Sequence, residues 1–204
     1  MKKPIFLLVV FIIAAAGIVI YSVQRVSAQQ SQQTASQQAV AEITFTFTRQ
    51  TGSATNQFAV WVEDSSGRYV KTLFATQWTA KGGWRRRETS IPLWVRKSNL
   101  ENMTNTQIDA VSGATPRTGT LTYSWDGIDN NGAQVPAGEY VIVLEGTLRW
   151  ENQVIYRAPI TLFPVSIDSN LANSQVSIEY LSDSSQSAIS ERSMITEVSV
   201  RTLR

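Results

Sequence analysis

The sequence predicts an all-β sandwich, and three observations predict it. Apolar and polar residues alternate with a period of two, as in Ile43-Thr44-Phe45-Thr46-Phe47-Thr48, which places Ile43, Phe45 and Phe47 on one face and three threonines on the other. Turn-forming clusters separate such segments at Asp64-Ser65-Ser66-Gly67, Asp129-Asn130-Asn131-Gly132 and Glu151-Asn152-Gln153. No segment after the leader shows a sustained helical apolar period.

The chain begins with Met1-Lys2-Lys3, an apolar run from Ile5 to Ile20, and Val26-Ser27-Ala28 before Gln29, the small-x-small pattern of a cleavage site. Residues 1–28 therefore read as a secretory signal cut after Ala28, or, uncut, as a membrane anchor with Arg25 outside. Residues 29–41 are rich in Gln, Ser and Ala, without aromatic or charged side chains, and read as a flexible tether. One domain follows over residues 42–204. After the Ile43 strand, further strands are expected at Phe58 to Glu63, Tyr69 to Ala75, Ile91 to Val95, Thr120 to Trp125, Tyr140 to Leu148, Val154 to Leu162, Val176 to Leu181 and Ile195 to Leu203. The serine-rich stretch 182–193 reads as an exposed loop before the last strand. The summed pattern is an immunoglobulin-like antiparallel β-sandwich.

Of the 18 basic residues, Lys2, Lys3 and Arg25 lie in the leader, which leaves 15 against 16 acidic ones. A near-neutral domain gives no footprint for nucleic acid, so none is expected as a partner. The chain has neither cysteine nor histidine. Thiolate nucleophiles, Ser-His-Asp triads, zinc and copper sites, iron–sulfur clusters and c-type haem attachment are thereby excluded.

The run from Trp125 to Tyr140, WDGIDNNGAQVPAGEY, resembles the hairpin W-D-G-x-D-x-x-G-x-x-V-P-x-G-x-Y of the Ig-like domain in the flagellar hook-capping protein. Asn131-Gly132 is expected to supply positive-φ turn residues, Pro136 and Gly138 to shape the next strand's entry, and Trp125 with Tyr140 to close the core. A calcium loop does not fit Asp126, Asp129 and Asn131, because alternate positions before Gly132 fall on Ile128 and Asn130. No metal is expected. The acids Glu63, Asp64, Glu139 and Glu145 read as solvated strand-end residues rather than a hydrolytic pair.

Together with Phe58-Ala59-Val60-Trp61-Val62-Glu63-Asp64, Gly67-Arg68-Tyr69-Val70-Lys71-Thr72-Leu73 and Asp109 to Thr115, this hairpin makes residues 42–162 resemble DUF2271, a family of predicted periplasmic proteins. The resemblance implies a location in the periplasm or on the outer face of the cytoplasmic membrane. It also implies association with redox systems that include flavin transferases and PepSY-type membrane proteins.

Asp109-Ala110-Val111-Ser112-Gly113-Ala114-Thr115 resembles the acceptor motif on which flavin transferases load FMN through a phosphoester to threonine. The resemblance implies Thr115 as the attachment site, Asp109 as part of recognition, Gly113 with Ala114 as room for the approach, and Ser112 as a further cofactor-binding position of the motif. Arg117 stands where that pattern ends in Ser or Thr, and Thr118 comes one position late. Between Gln77 and Lys97, Trp78, Trp84 and Trp94 are interleaved with Lys81, Arg85, Arg86, Arg87, Arg96 and Lys97 around Gly82-Gly83. Trp78, Trp84, Arg85, Arg86 and Arg87 could stack on an isoalloxazine, pair with its phosphate, or dock an acidic partner. The plainer account is a solvated basic turn with its tryptophans tucked into the sandwich edge.

Two functions are thus expected from the sequence. One is an exported electron carrier, not a turnover enzyme, holding covalent FMN at Thr115. The other is a cofactor-free structural or interaction module of the cell envelope. A carrier requires Thr115 on a loop beside open volume.

Overall fold

A computed structural model describes residues 39–51, 56–149, 152–162, 174–181 and 194–203. The leader 1–28, the tether up to residue 38 and the serine-rich stretch 182–193 lie outside the described residues. The strands are β1 (Ala41–Phe47), β2 (Gln57–Asp64), β3 (Tyr69–Thr76), β4 (Ser112–Gly113), β5 (Gly119–Trp125), β6 (Gly138–Arg149), β7 (Asn152–Leu162), β8 (Ser177–Leu181) and β9 (Ile195–Thr202). Two short helices, α1 (Pro92–Lys97) and α2 (Asn105–Val111), stand between β3 and β4.

Among the described residues these strands form two sheets, one of order β5-β1-β9 and one of order β4-β3-β2-β6-β7-β8. The pairs are antiparallel except β3–β4, which is parallel. The faces of the two sheets close over Ile43, Phe45 and Phe47 of β1, Phe58, Val60 and Val62 of β2, Ile142 and Leu144 of β6, and Tyr156 of β7. Phe58 packs edge-on to Phe45 at 5.5 Å and tilted to Phe47 at 5.2 Å. This is the predicted sandwich, with the alternation of β1 read on the correct face.

The outer face of the larger sheet is covered over β2, β6 and the neighbouring part of β7, and towards β8 it is solvated. Ala59 and Trp61 of β2, Val143 of β6 and Ile155 of β7 point away from the sandwich into a second core with Ala80, Ile91, Trp94 and Leu100. The segment from residue 77 to 111 therefore forms a third layer. This corrects two expectations, that Ile91 to Val95 is a strand and that nothing here is helical. Pro92 sits at the first turn of α1, where its missing N–H costs nothing. Ile91 before it is left-handed, φ 42°, and offers no side-chain cap. The sheet supplies the missing acceptors: Glu145 takes the N–H groups of Leu93 (3.0 Å) and Trp94 (2.7 Å), and Thr147 Oγ1 takes that of Ile91 (2.7 Å). The helix α2 carries a capping box, with Thr104 Oγ1 accepting from Gln107 N and Gln107 Oε1 accepting from Thr104 N.

The hairpin closes as its residues predict. Trp125 is buried, its Nε1 donates to Ile128 O at 3.0 Å, and its ring meets that of Tyr140 edge-on at 5.1 Å. Tyr140 donates to Pro136 O at 2.8 Å. Gly132 carries a positive φ of 83°, but Asn131 does not, because Asp129 Oδ1 holds the N–H groups of Asn131 and Ala133 (2.8 Å each) and fixes the turn from its first residue.

Candidate functional site

The acceptor-like heptapeptide is divided between three local environments. Asp109-Ala110-Val111 ends α2, Ser112-Gly113 is β4, and Ala114-Thr115 leaves the sheet edge. Pairing of Ser112 with Ala75 and of Gly113 with Thr76 lays the peptide beside β3. A Cβ on Gly113 would come within 2.9 Å of the Phe74 ring, so glycine here lets the edge strand close onto β3. Ala114 is exposed and Thr115 half-buried. Among the described residues nothing hydrogen-bonds the Thr115 hydroxyl.

Ala114 and Thr115 form one wall of a cleft of about 700 Å³. The other wall is the bend after β3, supplied by Gln77, Trp78, Lys81, Gly82, Gly83 and Arg86. Gly82, φ 102°, reverses the chain between two helical turns, Thr79–Gly83 and Trp84–Arg86. Gly83 lies under Trp78, where an added Cβ would approach the indole to 2.5 Å and strike the Trp78 carbonyl. Trp78 is 44% exposed. Its ring also has the Arg87 guanidinium over it at 5.2 Å, while Arg87 Nη2 donates to Ser90 Oγ at 3.1 Å. Burial lowers the Arg87 pKa below the usual arginine value.

Thr79 anchors the bend to the sheet. Its N–H (3.4 Å) and hydroxyl (3.0 Å) reach Gln57 Oε1, to which Thr76 Oγ1 also donates at 2.6 Å. Across the two segments Lys81 Nζ meets Asp109 Oδ1 at 2.6 Å, both side chains about half exposed. The pair contributes little stability at that exposure and mainly fixes which part of α2 faces the bend.

The structure therefore brings Trp78, Arg86, Ala114 and Thr115 to one cleft, with Asp109 tied to its Lys81. Trp84 and Arg85 are not part of the cleft lining: Trp84 packs on the second core, and Arg85 lies 4.5 Å over its ring with Nη1 within 3.9 Å of where a Gly82 Cβ would stand, at the cleft's margin. Ser112 and Gly113 support the wall from the sheet. Trp94 is fully buried, with Nε1 donating to Thr72 Oγ1 at 2.9 Å, and Trp84 packs on the same core while Lys81, Arg85, Arg86 and Arg96 are exposed, so the tryptophans are tucked against the sheet and the segment is built of short helical turns.

Sequence reasoning placed Glu145 and Glu63 in solvent, and both are buried. Glu63 accepts from Trp61 Nε1 at 2.8 Å and faces Lys97 Nζ at 3.3 Å. Burial raises the Glu145 pKa to about 7, against the opposing pull of the Trp94 and Leu93 N–H groups, the Gln153 amide and Arg96. Its carboxylate fastens α1 to the sheet. The signal for both lay in the sequence, since Phe58-Ala59-Val60-Trp61-Val62 and Tyr140-Val141-Ile142-Val143-Leu144 are apolar without alternation, the pattern of strands covered on both faces.

The profile of a family described as "Predicted periplasmic protein (DUF2271)" matches residues 38–179, from just before β1 into β8, and so includes both walls of the cleft. The chain belongs to the DUF2271 family. Membership makes it an exported protein of the periplasm. No curated protein and no solved structure matches the chain. Among the described residues of this DUF2271 protein no helix is long and apolar enough to cross a membrane, and no three acidic side chains gather as metal ligands.

Proposed function

We propose that this DUF2271 protein is an extracytoplasmic electron carrier with FMN bound covalently to Thr115. The observation that carries the proposal is the Thr115 hydroxyl, unengaged and opening on a cleft of about 700 Å³ with an indole and a guanidinium on the facing wall. That volume falls within the range of small-molecule sites.

Loading needs a flavin transferase and an activated donor in which FMN is joined by a phosphoanhydride to a nucleoside monophosphate. The Thr115 oxygen attacks the flavin-side phosphorus, an Oγ–P bond forms, and the anhydride P–O bond breaks. The nucleoside monophosphate leaves, and the hydroxyl proton passes to a base of the transferase. The protein's share of this step is access. Ala114 places no bulk beside the hydroxyl, and Gly113 draws the preceding backbone tight against Phe74 so that the threonine stands at the rim.

Once attached, the isoalloxazine supplies reversible two-electron chemistry, taking electrons from a reduced membrane partner of the PepSY type and yielding them to an exported acceptor. Trp78, 44% exposed, offers aromatic surface to such a ring, and Arg86 offers a counter-charge to the phosphodiester.

Intact-mass measurement and in-gel flavin fluorescence on protein from its native envelope test the proposal, beside Thr115→Ala. The expected result is an FMN-sized increment with fluorescence that survives denaturation, both lost in the variant. An unmodified mass, in a host that flavinylates other proteins, would overturn it and favour the cofactor-free envelope module.

A further inference from the structure

The cleft lining contains two cations, Lys81 and Arg86, and no carboxylate. They are not equivalent. Lys81 is committed to Asp109 at 2.6 Å. Arg86 is exposed and, among the described residues, pairs with no acid. Of the other guanidinium groups nearby, Arg87 is held behind Trp78 and Ser90 and contributes rigidity to the indole rather than charge to the opening, and Arg85 lies over the Trp84 ring with its Nη1 near Gly82, outside the lining itself. One uncommitted guanidinium fork and one exposed indole therefore face a common space. A dianionic phosphate monoester on a planar heteroaromatic body satisfies both, the fork by two parallel hydrogen bonds and the indole by stacking.

We propose that the cleft binds FMN reversibly before any covalent bond exists, and that Arg86 makes it select the phosphorylated flavin over riboflavin. The choice of flavin as the planar body rests on the reading of Thr115 given above. The selection by phosphate rests on Arg86 alone. Free FMN has no leaving group and is not itself the loading donor; the same wall would receive the FMN half of the anhydride donor when the transferase presents it, and add its own affinity to whatever the transferase provides.

The test uses the full mature chain expressed in a host without a flavin transferase, so that Thr115 is unmodified. FMN, riboflavin and FMN competed by inorganic phosphate are titrated at low salt, with flavin fluorescence anisotropy as the readout. FMN is expected to bind at least about tenfold more tightly than riboflavin, the size of one charge-assisted contact, with the preference shrinking as salt is raised. Arg86→Gln should bring the two ligands to within about twofold, whereas Arg201→Gln, on β9 and paired with Glu42, should leave the preference unchanged. Equal affinity of FMN and riboflavin for the wild type, or an undiminished preference in Arg86→Gln, overturns the inference. Covalent loading is read separately by mass after denaturation in the native host. Loss of one result without the other shows which of the two proposals has failed.

Discussion

Glu145 binds its proton under two opposed influences. Burial favours the neutral acid and raises its pKa to about 7, whereas the N–H groups of Trp94 and Leu93 and the amide of Gln153 favour the anion. The folded protein thus holds the proton more tightly than the unfolded chain, whose carboxyl titrates near 4.5. The stability this group contributes is complete below about pH 4.5 and is lost as the pH rises to about 7. Thermal midpoints are therefore expected to rise on acidification from pH 8 to pH 5, and Glu145→Gln should flatten that slope. No histidine exists to mask the effect. Asp64 and Asp129 act in the opposite sense further down. Asp64 is held low chiefly by the Ser66 hydroxyl and Asp129 by the Ala133 N–H, so the stability they give is lost only in more acidic solution. Gly83 is the second residue whose role is local and measurable. An alanine there collides with the Trp78 carbonyl and ring, so Gly83→Ala should cost about 1–3 kcal/mol in urea unfolding and displace Trp78 from the cleft rim, seen as weakened FMN anisotropy. At this scale the sequence named Trp78, Arg86 and Thr115 one by one. It could not show that they meet, because residues 77–86 and 114–115 are brought together only by the crossover through α1 and α2 to the parallel strand β4.

Among the elements, α1 departs furthest from its sequence. Ile91-Pro92-Leu93-Trp94-Val95 has the β-branched and aromatic composition of a strand, and six residues hold no helical period long enough to recognise. Its N-terminus is completed by Glu145, 51 residues away from Trp94, an acceptor that local inspection does not supply. The helix α2 was missed as well: Thr104 and Gln107 have the spacing of a capping box, but seven residues are too few for an apolar helical period to register. The strands that line the sandwich were read within a few residues, β1 from its period of two and β2 and β6 from unbroken apolar runs bounded by turn residues. Trp94 is the anchor of α1, buried between β2, β3 and the helix with its Nε1 on Thr72. Trp94→Ala should lower the unfolding free energy by about 3–5 kcal/mol, measured by urea denaturation. The same variant should loosen the wall that carries Trp78 and Arg86.

At the scale of the whole domain, β2 is common to both cores, Phe58, Val60 and Val62 facing one and Ala59 and Trp61 the other. Neither the sandwich nor the helical layer can lose its packing without exposing this strand. A single cooperative transition is therefore expected, with far-ultraviolet dichroism and tryptophan fluorescence superimposing through the melt; two separated midpoints would contradict the shared wall. The edge of β3 carries a further consequence for behaviour in a crowded envelope. An uncovered strand invites pairing with another chain. Here β4 occupies Ala75 and Thr76 at one end, and the Asn130 N–H takes Val70 O at 3.0 Å towards the other. The segment that presents Thr115 and the hairpin that follows it thus also act as guards against self-association, and Pro116, one step beyond Thr115, cannot donate to a neighbouring strand. A chain whose acceptor segment was shortened to remove the cleft would forfeit more than a ligand: it would leave part of a sticky margin bare, and aggregation rather than mere inactivity would be its phenotype.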